Sequence, residues 1–451
     1  MKKDEIITEL KSSNKNFVTV AVSDIDGILR AKTISKKKFI KSLGSYIGFC
    51  DVIFGWDAED KSYEGATATG WHTGYPDGQI ALDLSSFRKC SWNDDMPIIL
   101  ADFSPSDNIS GICPRSLLKR VEEKAKGMGF RPRYSCEFEW YNFQETPASL
   151  AEKKGIDPVP MTPGMFGYSL LRASQKSDFY NDLLTHLPNF GIPLEVLHLE
   201  TGDGVYEAAI EHADILEAAD RSVLFKTAVK EIASRHGITA SFMAKWNVSL
   251  PGSSGHIHQS LWGEEMERNL FYDPADENKM SRLLKQFIAG QLTCMPAILP
   301  MYAPTVNSYK RLVEGSWAPT SVSWGIDNRT TALRVINADE GSMRLETRVP
   351  GADANPYLSM AAALASGLFG IENEMELDLP VTKGSEYKKM NKHPLAQNLS
   401  EATERMKSSE FPPALFGDTF TDHFIKTREW EWKEFNGTVT DWEKKRYLEI
   451  I

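Results

Sequence analysis

A chain of 451 residues is too long for one small core and predicts two or three domains, or one large domain with a smaller one attached. Hydrophobic residues at 41% and charged residues at 25% give an ordinary globular balance. A net charge of −11 excludes a general nucleic-acid surface or attraction to anionic membranes, while leaving room for local arginines that hold phosphates.

The opening MKKDEIITEL is charged and lacks the apolar stretch of a signal peptide. A short helix is expected over residues 4–10, then a strand over 17–24. Asp26-Gly27 supplies a hairpin turn, and 28–33 returns. Further strands are expected at 79–83 and 97–103, making a small β-rich module. Residues 104–111 are rich in Ser, Asp, Pro and Gly and read as a linker. Pro114 opens an amphipathic helix over 115–128, so a boundary falls near residue 112. A long helix is expected over 213–236, with Leu216, Val223, Leu224, Ala228 and Ile232 on its apolar face. Others are expected over 280–294, from Asn355-Pro356 onward, and over the Trp-rich 422–451. The most apolar run, 360–371, is too short to span a bilayer and reads as an internal helix. Cys50, Cys90, Cys113, Cys136 and Cys294 lack CxxC pairing, which fits reduced thiols in a cytoplasmic protein.

Several short segments alternate, and successive side chains on a strand point to opposite faces. In 133–140, Glu137 and Glu139 share a face opposite Phe138. In 195–200, Val196, His198 and Glu200 share a face opposite Leu197 and Leu199. A turn at 202–204 brings Glu207 back near Glu200. In 255–261, His256, His258 and Ser260 share a face; in 343–349, Arg344, Glu346 and Arg348 do. One such segment reads as a half-exposed strand with solvated charges. Together, five glutamates and an imidazole on one sheet face call for hard divalent cations, Mg²⁺ or Mn²⁺ rather than zinc. Arg311, Arg329 and Arg334 follow, near two loops of small residues at 251–255 and 314–316. Guanidinium groups suit phosphate and carboxylate.

Seven segments together resemble the glutamine synthetase family across essentially the whole chain: CEFE at 136–139, HLETGDGVYE at 198–207, PGSSGHIHQSL at 251–261, NSYKR at 307–311, DNRT at 327–330, RLETR at 344–348 and GADANPYL at 351–358. The resemblance implies an α+β fold. A β-grasp domain would occupy 1–112, and a catalytic domain with a funnel of antiparallel strands flanked by helices would occupy 113–451. It implies ATP as cosubstrate and two or three Mg²⁺ or Mn²⁺ ions. Carried over by position, Glu139, Glu200 and Glu207 hold the metal beside glutamate, and Glu137, His256 and Glu346 the metal beside the ATP phosphates. Arg311, Arg348 and Gly252 face the acid substrate. Arg329 faces the transferring phosphoryl group. Arg334, Arg344, Ser260 and His258 lie on the nucleotide side. The resemblance also implies two stacked hexameric rings with active sites shared between neighbours.

The sequence departs from the family pattern where it bears on substrate. Ammonia-using members carry a glutamate in the flap after NSYKR; counting from Arg311, this chain has Trp317. Glu314, earlier in the flap, is the alternative proton acceptor. Asp51 and Asp57 are both candidates for the amine-binding aspartate of the N-terminal domain, and Tyr168 matches an amine-site tyrosine. Pro251 replaces an asparagine that contacts glutamate, and Leu199 stands where many members carry a second histidine. The expected reaction joins glutamate to an organic amine: ethanolamine, a polyamine, or an alkyl or aryl amine. The acidic run 57–60 would receive the second charge of a diamine. The alternatives are an ammonia-using glutamine synthetase, a non-catalytic structural relative, and a ligase whose acid is not glutamate, for which Pro251 leaves room. The stretch 388–395, KKMNKHPL, lacks the tyrosine that some bacterial members adenylylate, so no such control is expected.

Overall fold

The computed structural model describes residues 2–389 and 393–451. Part of the adenylylation stretch, 390–392, therefore lies outside the described residues. The fold is mixed α and β, built on two sheets. The first joins β1 (Phe17–Ser23), β2 (Leu29–Ser35), β3 (Tyr46–Cys50), β4 (Asp77–Leu82), β5 (Arg88–Cys90) and β6 (Met96–Phe103) in the order β2-β1-β6-β4-β3, with β5 also on β6. Strands β1 and β6 are parallel and the other pairs antiparallel. The β1–β2 turn forms where Asp26-Gly27 predicts it. Asp24 Oδ1 accepts from the N–H groups of Asp26 and Ile28, at 3.1 and 2.8 Å, and Gly27 takes φ +81°. Strands β3 and β5 are additions to the sequence expectation; β3 is short and β5 spans three residues.

The second sheet runs β13-β14-β15-β12-β7-β9-β8, with β10 and β11 pairing with β7. Its strands are β7 (Arg131–Phe143), β8 (Leu194–Leu199), β9 (Val205–Ile210), β10 (Ala213–Asp214), β11 (Thr239–Ser241), β12 (Gly255–Trp262), β13 (Trp324–Ile326), β14 (Leu333–Ile336) and β15 (Arg344–Thr347). Among the described residues of this sheet, only β13 and β14 run parallel. The thirteen-residue β7 carries the sheet's two faces in plain form. Tyr134, Cys136, Phe138 and Trp140 are buried on one, where Phe138 stacks on Phe225 of the helix Ile215–Arg235 with ring centroids 5.7 Å apart. Glu137 and Glu139 project from the other. The buried helix Pro356–Glu372 packs on Arg282–Ile298 and Pro114–Gly127.

Three expected helix boundaries move for local reasons. The segment 213–236 starts as β10, because Ala213 and Asp214 pair with Tyr134 and Arg133; the helix proper is Ile215–Arg235. The segment at 280–294 starts at Arg282, after Ser281 caps it by accepting from the Leu284 N–H, and runs on to Ile298. The C-terminal run is two helices, Asp418–Asn436 and Asp441–Tyr447, and Thr440 with Glu443 forms a capping box on the second. The expected linker holds a short 3₁₀ turn, Asn108–Gly111. No helix among the described residues is long and apolar enough to cross a membrane.

Candidate active site

Cross-strand pairing gathers the charged residues. His256 on β12 lies opposite Glu137 on β7, and His258 lies opposite Glu346 on β15. Glu346 in turn faces Arg334 on β14, Glu139 faces Glu207 on β9, and Glu207 faces His198 on β8. Directly opposed side chains on one sheet face sit within contact distance. The alternation read in the sequence therefore becomes a continuous polar wall, backed by the aromatic face of β7.

Two clusters with metal-ligand spacing result. Glu137, His256 and Glu346 present oxygen and nitrogen atoms within 4.8 Å of one another, as do His198, Glu200 and Glu207. In the first, His256 Nδ1 lies 3.3 Å from both Glu137 and Glu346. Burial, then the nearby Arg348 guanidinium, brings the His256 imidazole down to about 4, so the ring is neutral. Its Nε2 is buried and has no hydrogen-bond partner. A neutral imidazole whose Nδ1 lies between two carboxylates is a donor set suited to a divalent cation. Burial works against ionisation of Glu346, but Arg348, His256 and His258 outweigh it and bring the carboxyl down to about 2.

The second cluster differs from the expected trio. Glu139 sits beside it, but its Oε2 accepts from the Ser254 N–H at 2.7 Å. Burial, and then Glu207, pushes its carboxyl up to about 8. His198 takes the place in the cluster that sequence reasoning gave to Glu139. Its ring lies 3.4 Å from Glu207 and 3.8 Å from Glu200 and packs against Tyr168, tilted by 32° with centroids 4.6 Å apart. Burial alone would lower its affinity for a proton. The hydrogen bonds to Glu207 and the Leu199 carbonyl raise it to about 9.

A cavity of about 600 Å³ opens onto these clusters. Glu137, Glu139, Tyr168, Glu200, Glu207, Gly252, His256, Arg311, Glu314, Trp317, Arg329 and Arg348 all line it. Gly252 is required by packing: a Cβ there would fall 2.7 Å from Arg311 Cγ and 2.9 Å from the Ala244 carbonyl. Arg311 is buried and donates to the carbonyls of Val349 and Arg348, at 2.9 and 3.2 Å. Arg348 bonds Glu346 and donates to the Trp317 carbonyl at 3.3 Å. The nucleotide-side candidates continue along the same sheet face beyond the cavity. Arg344 Nε approaches His258 Nδ1 at 3.3 Å, Arg334 bonds Glu346 at 3.0 Å, and Ser260 accepts from the Trp262 indole N–H at 3.0 Å.

Asp51 and Asp57 are not brought to this cavity. Asp51 is buried beside Thr69, and burial raises its carboxyl. Asp57 accepts from the Trp430 indole N–H at 2.9 Å and from the N–H groups of Glu59 and Lys61. The rest of the acidic run is also engaged, Glu59 by Lys61 and Asp60 by Arg30. Site residues that sequence reasoning left unassigned include His198 of the second cluster, visible in the alternation two positions before Glu200, and the cavity-lining Lys245, Val248 and Met165. These last three sit in irregular segments that carry no periodic signal.

Residues 111–447 match the family described as glutamine synthetase, catalytic domain. Type-1 glutamine synthetase 2 of Dictyostelium discoideum is 50% identical over 452 residues, covering 99% of this chain and 86% of that protein. The glutamate–isopropylamine ligase of a Pseudomonas species is 36% identical over 451 residues, covering 98% and 97%. The solved structure of GmaS in complex with ADP matches with a TM-score of 0.85 at 26% identity, covering 98% of this chain and 99% of that one. The fold, the polar sheet face and these likenesses lead to one conclusion: the chain belongs to the glutamine synthetase family.

Proposed function

We propose that this chain is an ATP-dependent ligase that joins the γ-carboxylate of glutamate to an organic amine through γ-glutamyl phosphate. A carboxylate does not acylate an amine at neutral pH, because oxide is a poor leaving group. Attack of the γ-carboxylate oxygen on the γ-phosphorus of ATP breaks a P–O bond, releases ADP and leaves an acyl phosphate. The amine nitrogen then attacks the acyl carbon and phosphate departs, while the amine loses a proton to a nearby carboxylate.

The residues fit named parts of this reaction. Arg311, Arg348 and Gly252 hold the acid, Arg329 faces the transferring phosphoryl group, and Arg334, Arg344, His258 and Ser260 face the nucleotide. Glu137, His256 and Glu346 would hold one Mg²⁺ or Mn²⁺ ion, and Glu200 and Glu207, with His198 or Glu139, another. Bound there, such ions neutralise charge on the phosphates. The same reading takes 1–112 as a β-grasp unit and 113–451 as the catalytic unit, in a cytoplasmic ring assembly. Two observations support that division: the first sheet ends at Phe103, and the family match begins at residue 111.

Trp317 carries the choice of amine. It is 66% exposed, lines the cavity and holds φ +60° in the flap. An indole cannot accept a proton, but it offers an apolar or cation–π surface to an organic amine. Met165, Tyr168, Val248 and Val313 extend that apolar lining. The likeness to an isopropylamine ligase supports the same reading. The 50% likeness to a glutamine synthetase favours a second reading, in which ammonium is the nitrogen donor and Trp317 is tolerated. Phosphate release from ATP, Mg²⁺ and glutamate, with ammonium and a panel of amines in parallel, decides. Fast release with one organic amine and little with ammonium is expected; ammonium as the best substrate replaces the first reading with the second.

A further inference from the structure

One cation of the cavity remains without a role. Lys245 lies between β11 and β12, is 7% exposed and lines the cavity with Gly252 and Arg311. Its main chain is clamped on both sides by one carboxamide. The Lys245 N–H donates to Asn307 Oδ1 at 2.8 Å, and Asn307 Nδ2 donates back to the Lys245 carbonyl at 2.8 Å. Asn307 immediately precedes the short helix Ser308–Arg311, so the clamp fixes Lys245 relative to Arg311. The loop between Lys245 and Gly252 is held as well. Tyr141 donates to the Pro251 carbonyl at 3.0 Å, and Ser253 donates through its N–H to Ala244 and through its hydroxyl to Met243.

The electrostatics of this wall are unbalanced. Among the described residues, the side-chain hydrogen bonds of Lys245 and Arg311 run only to main-chain carbonyls: Leu250 for the lysine, Val349 and Arg348 for the arginine. Glu139 and Asp353 act on Arg311 through space, but among the described residues neither forms an ion pair with it or with Lys245, and Glu139 gives its Oε2 to the Ser254 N–H. A buried cation without a paired anion is costly, and two side by side repel. Burial, and then Arg311, holds the Lys245 ammonium below the usual lysine range. An ammonium has three donors, and the Leu250 carbonyl uses one. The arrangement is a seat for an anion between two preorganised cations.

We infer that Lys245 is an acid-binding residue, its ammonium joining Arg311 in holding the α-carboxylate of the amino-acid substrate. This rests on the reading of the acid as glutamate given above. On this basis Lys245 sets the orientation of the substrate's remote end, while the γ-carboxylate is directed toward the metal clusters. A lysine that only capped the Leu250 carbonyl would stabilise the loop without discriminating among substrates.

The test compares wild type, Lys245→Met and Lys245→Arg as full-length protein with saturating ATP, Mg²⁺ and the best amine. Lys245→Met keeps the apolar stem and removes the charge. Its KM for glutamate is expected to rise roughly tenfold to a hundredfold, the scale of a lost hydrogen bond to a charged group. Its kcat, its KM for ATP and its thermal midpoint stay near wild type, and Lys245→Arg keeps most of the affinity for glutamate. An unchanged KM for glutamate in Lys245→Met overturns the proposal, as does a loss shared equally by glutamate, ATP and thermal stability, which marks the lysine as a loop brace. Wild type that releases no phosphate with glutamate and any amine overturns the acid reading, and this inference with it; the two failures are distinct.

Discussion

On the proposed reaction, Trp317 is the side chain that would select what meets the acyl phosphate. Its main chain is fixed by the Arg348 guanidinium, so the flap is tied to the same arginine that bonds Glu346. Its side chain is exposed toward the cavity mouth, and a replacement there has room. Trp317→Glu restores a group that can accept a proton from ammonium and removes the apolar surface. The expected outcome is a gain of about a hundredfold in the rate with ammonium, the lower range of general acid–base catalysis, and a loss with the preferred organic amine. Rates of phosphate release with both nitrogen donors measure this. A variant that loses both activities equally shows that Trp317 shapes the flap and does not select the amine. The residue scale also shows how much the sequence could disclose. Glu137, Glu139, Glu200, Glu207, His256 and Glu346 were legible because a strand alternates its faces. Lys245 was not, because its position depends on a loop clamped by Asn307, four residues before Arg311 in the chain and sixty-two after Lys245.

Among the elements, the helix Asp418–Asn436 does more than cover the surface. It meets the N-terminal region through Thr67–Asp422, Asp57–Trp430 and Asp26–Arg428. His423 lies inside that junction with neither ring nitrogen hydrogen-bonded and with its side chain fully buried against Tyr63. Asp422, Lys426 and Arg428 are the charged groups that act on it. Burial is the main reason its imidazole falls from 6.5 to about 4. The folded state therefore keeps His423 neutral where the unfolded chain would protonate it. Its contribution is fully present above pH 6.5 and is lost as pH falls toward about 4, on the order of 3 kcal/mol in all. Denaturation at about pH 7.5 and about pH 5 should show a smaller stability loss for His423→Leu than for wild type. Equal losses would assign the acid sensitivity to other groups. This helix was legible as an element, since its Trp-rich run has helical character. Its break before Asp441 is local, set by the Thr440–Glu443 capping box, whereas its embrace of the N-terminal region was not legible, because it depends on contacts with residues hundreds of positions away. The same holds for β10, where pairing with β7 converts two residues expected to be helical.

At the scale of the whole molecule, the N-terminal sheet is fastened to the rest of its own chain from two sides. Arg115, buried at the start of the helix Pro114–Gly127, donates to Asp220 at 2.8 and 2.7 Å, to Asp102 at 2.7 Å and to Asp83 at 2.8 Å. This ties the end of β4, strand β6 and the helix Ile215–Arg235 to one guanidinium; removing one partner of such a buried network typically costs about 3–5 kcal/mol. On the other side, Asn355 donates to the carbonyls of Asp24 and Ile25 at the β1–β2 turn, at 3.2 and 3.1 Å. With the sheet held this way, Asp51 stands outside the lining of its own chain's cavity. Asp57 is occupied by Trp430, so Asp51, whose Oδ1 has no hydrogen bond, is the better placed of the two candidates. If it serves an amine site, that site belongs to another copy, as the ring assembly proposed above requires. Asp51→Asn and Arg329→Ala should each abolish or strongly reduce activity when alone. Mixed and reassembled, they should regain part of it, because some sites then combine an intact Asp51 from one copy with an intact Arg329 from the next. Different affinity tags on the two variants, with purification through both tags in sequence, establish that mixing occurred. Mixed assemblies that stay as inactive as their parents, or a fully active monomer, place every catalytic group within one chain and remove Asp51 from the reaction.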